Sequence, residues 1–171
     1  TKELLSNYKI AVSGIAVSAR FAVIDPEEKE KHFEETRRNL KLAAQLDAHV
    51  VRVFGGHVPE GYTLEKVISI LAENLREMAD EAKDYGVTLA LETHDDWTDS
   101  TVVSRVIEKV NHPNVGVLWD LHHPFRFNHE DPEETYANLS PYVVSVHVKD
   151  SILDENGQIR LVLLGEGDVP I

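Results

Sequence analysis

The sequence predicts a parallel β/α fold, part of a (β/α)8 barrel. Three observations point to it: apolar runs alternate with helical patterns, the strand faces split into a bulky and a small or polar set, and acidic or imidazole groups recur where strands end. Five runs read as strands: Ile10 to Val17, Val50 to Phe54, Val87 to Glu92, Val115 to Asp120 and Val143 to Val148. The last three show the split. Val87, Leu89 and Leu91 oppose Thr88, Ala90 and Glu92. Val115, Val117 and Trp119 oppose Gly116, Leu118 and Asp120, and Val144, Val146 and Val148 oppose Val143, Ser145 and His147. A doubly wound open sheet is the alternative, but its central strands would be strongly apolar on both faces.

Helical patterns fill the intervals. The first starts at Asp25 and Pro26, with Glu28 completing a capping box, and runs through Phe33, Leu40, Ala44 and Leu46. The second starts near Thr63, places Val67, Leu71, Leu75, Met78, Ala82 and Tyr85 on one face, and stops at Gly86. A third uses Val102, Val103, Val106, Ile107 and Val110 and ends before His112, Pro113 and Asn114. The fourth repeats the first cap with Asp131, Pro132 and Glu134. A closed barrel needs eight strands and about 250 residues. Five strands in 171 residues, from Thr1 to Ile171, are therefore expected to be an incomplete barrel in a single partial domain. Two open strand edges give such a piece reason to self-associate.

Composition narrows the partners. The formal charge is −13, from 30 acidic and 17 basic residues, which opposes the phosphate-backbone attraction that holds nucleic acids and anionic membranes. Neither nucleic acid nor membrane is expected. No apolar run approaches the roughly 20 residues of a bilayer span, and Thr1 to Lys9 lack a signal-peptide core. A cytoplasmic location is the expectation. With no Cys, any metal site must use His, Asp and Glu.

Glu92, Asp120 and His147 end consecutive strands on the inward face, at the edge where parallel β/α folds assemble their sites. Neighbouring strands lie about 4.8 Å apart, so the three can converge on one divalent ion such as Mn, Zn, Co, Fe or Mg. His94 follows Glu92 on the same alternation and could touch a substrate. Lys149 shares the inward register of His147 and could bind a hydroxyl, carboxylate or phosphate. Arg52 inside a strand must be paired if buried, as a structural ion pair. His57, after Gly55 and Gly56, could line the mouth, while His32, His49, His112 and His129 read as surface residues.

The segments LALETH at 89 to 94, VGVLWDLHHP at 115 to 124, VSVHVKD at 144 to 150 and LGEGDVP at 164 to 170 resemble the xylose isomerase-like TIM barrels, a family that includes tagatose 3-epimerase-like sugar epimerases, dehydratases and endonuclease IV. The resemblance implies that the five strands match strands three to seven, that Glu92, Asp120 and His147 match three metal ligands, and that His123 matches a companion site histidine. It implies a divalent cofactor and proton transfer next to a carbonyl of a small sugar or polyol, with Glu92 as the proton-transferring carboxylate. The family's fourth ligand, a Glu on the eighth strand, has no match here, and Glu166 belongs to a site-shaping loop. Epimerisation, which needs a carboxylate on each face of the substrate, should then be poor or absent. The competing functions are a dehydratase on the same scaffold, an endonuclease IV-like phosphodiesterase, for which further ligands are missing, and a non-catalytic barrel fragment.

Overall fold

The computed structural model describes residues 1–171 and contains one five-stranded parallel sheet with its strands in chain order. The strands are β1 (Ile15–Arg20), β2 (Val50–Phe54), β3 (Thr88–Glu92), β4 (Val115–Asp120) and β5 (Val143–His147). A short α1 (Lys2–Asn7) precedes β1, and α2 (Pro26–Gln45), α3 (Leu64–Asp84) and α4 (Ser100–Val110) follow β1, β2 and β3. Two shorter helices, α5 (His122–Asn128) and α6 (Pro132–Leu139), link β4 to β5. An antiparallel hairpin of β6 (Asp150–Leu153) and β7 (Ile159–Val162) comes after β5.

The first strand corrects the expectation of Ile10 to Val17. Its pairing starts only at Ile15, opposite Val51, because β2 itself begins at Val50 and offers only that residue before it, against Gly14. Ile10 is left exposed behind Lys9, a turn residue at φ 55°. Capping chemistry sets the helix starts. The Asp25 carboxylate accepts the Glu28 N–H at 2.9 Å, Thr63 accepts from Lys66, and Asp99 accepts from Thr101 and Val102. Only half of the expected box at α2 forms, since the Glu28 carboxylate lies 3.8 Å from His32 instead.

The outer sheet face and the helices share one core. Val51, Val53, Leu89, Leu91 and Val117 pack against Phe33, Leu40, Leu71, Leu75, Met78 and Val106, all buried. Burying each such side chain contributes about 1.5–3 kcal/mol, enough to hold the sheet with its inner face open. The outer face of β5 is different: Val144 and Val146 are 43% and 46% exposed.

Two glycines permit close approaches that matter for the site. At Gly116 a Cβ would meet Val144 Cγ1 at 2.7 Å and the Tyr142 carbonyl at 2.8 Å, so only glycine lets β5 seat against β4. At Gly55, after β2, a Cβ would lie 2.2 Å from the ring of the fully buried Trp97, whose Nε1–H donates to the Gly56 carbonyl. The Gly55→Ala variant is therefore expected to lose about 2–3 kcal/mol of stability through overpacking, measured as a lower urea midpoint.

Between Val117 and Leu118 the β4–β5 register slips by one residue. Val117 pairs with Val143, but Leu118 pairs with Ser145 and Asp120 with His147. The β3–β4 register is regular and sets Glu92 beside Leu118.

Candidate metal centre at the strand ends

Parallel pairing delivers three predicted residues to one place. Glu92 ends β3, Asp120 ends β4 and His147 ends β5, and one ligand atom from each lies within 4.8 Å of the others. His147 Nδ1 is 3.0 Å from Glu92 Oε1 and 3.8 Å from Asp120 Oδ2. Both carboxylates are buried, whereas His147 is partly open.

Each carboxylate divides its oxygens between anchoring and the site. Asp120 Oδ1 accepts the His122 N–H at 3.1 Å, at the start of α5. Its Oδ2 lies 2.6 Å from Lys149 Nζ, yet this oxygen is fully buried with no well-directed hydrogen bond. Glu92 Oε2 lies 3.0 Å from Arg52 Nε, again close in distance but misdirected in angle, and its Oε1 faces His147. Arg52 is itself pinned by a 2.9 Å bond from Nη1 to the Val17 carbonyl, and its guanidinium stacks 4.0 Å above the Phe54 ring. The structural ion pair expected of Arg52 is thus to Glu92. Asp120 Oδ2, buried without a directed donor, with Glu92 Oε1 and the His147 imidazole nitrogen beside it, fits a divalent ion held by hard oxygen and nitrogen ligands. The residues that would hold it are Glu92, Asp120 and His147.

The companion residues surround this group. His123 is buried, its Nδ1 2.8 Å from the Thr93 carbonyl and its Nε2 3.1 Å from Lys149 Nζ. The carbonyl needs a donor, so Nδ1 carries the proton and Nε2 faces the ammonium as acceptor. Burial, with the Lys149 charge adding to it, pushes the His123 pKa down despite Asp120. His94 stands with its ring 4.5 Å from both the His123 and Phe54 rings, and its Nδ1 is 2.9 Å from Asp95. A cavity of about 280 Å³ opens here, lined by His57, His94, Asp95, Asp96, His123 and Phe127. His57 does line the mouth, bonded to Asp96 at 3.0 Å. Burial works against the Asp96 carboxylate, but the Val58 N–H and His57 outweigh it and hold its pKa below the usual range. A larger cavity of about 630 Å³ lies over the ends of β1 and β2 and shares His57. Neither cavity is lined by Glu92, Asp120 or His147, but the smaller one includes His123, which lies against Asp120 and Lys149, so the greater size of the other does not make it the reacting centre.

Two contributors were not singled out from sequence. Thr93 accepts the Asp120 N–H at 2.9 Å and so ties the end of β3 to that of β4. His122 is buried against Ser151 Oγ at 2.9 Å, and burial together with the neighbouring His123 pushes its pKa down. His112, expected at the surface, is instead largely covered, because its Nδ1 accepts the Asn114 N–H and its Nε2 lies 3.3 Å from Asp80. Glu166 is exposed, in a loop clasped by Asp150, whose carboxylate accepts the N–H groups of Ser151, Gly165, Gly167 and Val169.

The two depressed imidazoles give the metal-free protein a defined acid sensitivity. Below about pH 6.5 an unfolded chain takes up protons that folded His122 and His123 resist, so stability falls from there towards their folded pKa values and then levels. Denaturation at pH 7.5 and 5.5 should show the loss, and His122→Gln should reduce it.

Side chains converging at the carboxyl edge of a parallel β/α sheet place the chain among the β/α barrels, of which it supplies five strands. It belongs to the xylose isomerase-like TIM barrel family, whose profile matches residues 1–171. It is 29% identical over 132 residues to the uncharacterized protein YihM of Escherichia coli (strain K12), a match covering 75% of this chain and 39% of that protein. Among solved structures it is similar to a xylose isomerase domain protein from Planctomyces limnophilus, with TM-score 0.82 and 22% identity. It is also similar to a D-tagatose 3-epimerase-like protein, with TM-score 0.84 and 20% identity. In both cases 99% of this chain covers 66% of the other. A barrel protein from Mycobacterium smegmatis in complex with magnesium is similar at TM-score 0.76 and 24% identity, over 97% of this chain and 61% of that one. These identities show a shared fold. No helix is long and apolar enough to cross a membrane.

Proposed function

We propose that the chain carries the metal-binding part of an isomerase or epimerase that moves a proton next to the carbonyl of a small sugar or polyol. The observation that carries this reading is the convergence of Glu92, Asp120 and His147, with ligand atoms within 4.8 Å, at the strand ends. The sugar epimerases among the solved structures of the same fold support it, the L-ribulose 3-epimerase and the D-allulose 3-epimerase bound to D-allulose being two.

When bound, a divalent ion supplies Lewis-acid stabilisation of the negative charge that forms as the C–H bond is ionised. Glu92 takes the proton and returns it, and its placement by Arg52 fixes the face it works on. Lys149 and His123 donate to or accept from substrate oxygens, and His94 with Phe127 walls the cavity beyond them. Asp120 and His147, with Glu92, would hold the ion.

With Glu92 as the carboxylate that moves the proton, hydrogen exchange reads its action directly. In D2O the manganese-loaded chain should incorporate deuterium next to the carbonyl of a ketose such as D-tagatose or D-fructose, and Glu92→Gln should not. Failure of the loaded wild type to exchange either ketose or a keto sugar acid would remove this reading. Release of water from the sugar would replace it with the dehydratase.

A further inference from the structure

The arrangement of charges around the strand-end carboxylates has a consequence for the kind of molecule the site accepts. Glu92 and Asp120 are each already matched by a cation of the same chain, Arg52 at 3.0 Å and Lys149 at 2.6 Å. Without a metal the cluster is therefore balanced. A divalent ion on Glu92, Asp120 and His147 would leave the strand-end group with two positive charges beyond its own two carboxylates, and a surplus of charge beside buried groups is costly. One further carboxylate would remove only one of them. Arg52 cannot leave, since it is held by the Val17 carbonyl and stacked on Phe54. Lys149 lies behind one wall of the cavity: its side chain is partly exposed, and its Nζ bridges Asp120 and His123, the second of which lines that wall.

The other end of the cavity has the opposite character. Asp95 and Asp96 line it, bonded to His94 at 2.9 Å and to His57 at 3.0 Å. Carboxylates held beside imidazoles accept from hydroxyls and repel a second anion. Resting on the metal-centre reading above, we propose that the loaded site selects a polyhydroxylated acid over a neutral sugar, with the ligand's carboxylate meeting Lys149 and its hydroxyl chain running towards His94, Asp95 and Asp96. The ligand class is thus a sugar acid, a hydroxy- or keto-acid with a hydroxylated tail.

The test uses the whole chain and three probes. Manganese alone is first titrated into the metal-free protein by calorimetry. Glycerate and glycerol, which differ in one end group and are small enough to enter whatever the preferred stereochemistry, are then titrated into the loaded protein. Glycerate should bind at least about tenfold more tightly than glycerol, the size of one charge-assisted contact. That advantage should fall about tenfold in Lys149→Met and Lys149→Gln and return in Lys149→Arg, because the cation and not the metal alone supplies it. Equal binding of the two probes by the wild type overturns the inference without any variant. So does a glycerate preference that persists in folded Lys149→Met or Lys149→Gln, which would mean that the metal alone selects the carboxylate. Failure of the wild type to bind manganese overturns the metal centre itself, and the inference with it, a result distinct from manganese binding without anion preference.

Discussion

Asp120→Asn is expected to weaken manganese binding by more than about 100-fold, beyond the range seen when only an outer partner of a metal ligand is lost. The amide can keep its oxygen on the His122 N–H, as Oδ1 does now. Its NH2 would then stand where Oδ2 stands, 2.6 Å from Lys149 and 3.8 Å from His147 Nδ1, a donor facing a donor and unable to ligate. Calorimetry and the metal content of dialysed protein would both read the effect. Equal retention of metal by wild type and variant would exclude Asp120, and with it the strand-end group, as the binding site.

Arg52→Met should have effects of opposite sign on stability and on metal affinity. Without metal, the variant leaves Glu92 buried beside no cation and the Val17 carbonyl without its donor, a loss of about 3 kcal/mol or more. Removing a positive charge from the edge of a cation site favours the ion, so manganese should bind at least as tightly as in wild type. Saturating manganese should then recover part of the lost stability, because ligand binding to the folded state adds to it. Urea denaturation with and without the metal tests both halves. A variant as stable as wild type would show that Arg52 compensates nothing. A variant with weaker manganese binding would show that Arg52 matters for aiming Glu92 more than for its charge.

The sequence was most informative where periodicity and strand position carry the information. Alternation in the last three strands identified the inward faces of β3 and β4 and the ends that carry Glu92, Asp120 and His147, because side-chain direction along a strand is set by position parity. The start of β1 was not legible, since it depends on where a strand distant in sequence begins. The hairpin of β6 and β7 has a local signal in Asn156–Gly157 between Ile152, Leu153 and Ile159, Leu161, the turn chemistry of tight hairpins, but its strands are too short to stand out as apolar runs. Helix α5 is too short for periodicity to reveal, and the cover it gives His122 depends on Ser151, far along the chain. The identities of Arg52 and Lys149 as the cations on Glu92 and Asp120 are matters of side-chain reach that no local pattern encodes.

The slip between β4 and β5 determines which side chain the site receives. Had the pairing of Val117 with Val143 continued without it, Asp120 would stand beside Val146, and His147 would point out of the barrel with the valines. The imidazole reaches the carboxylates because one residue of β5 is spent at the irregularity. The identity of the proposed ligand is therefore encoded partly as length: deleting the extra residue Val144 would leave His147 opposite Asp120 in a regular ladder, whereas one residue inserted between Tyr142 and Ser145, with the slip kept at one residue, would set Val146 there instead.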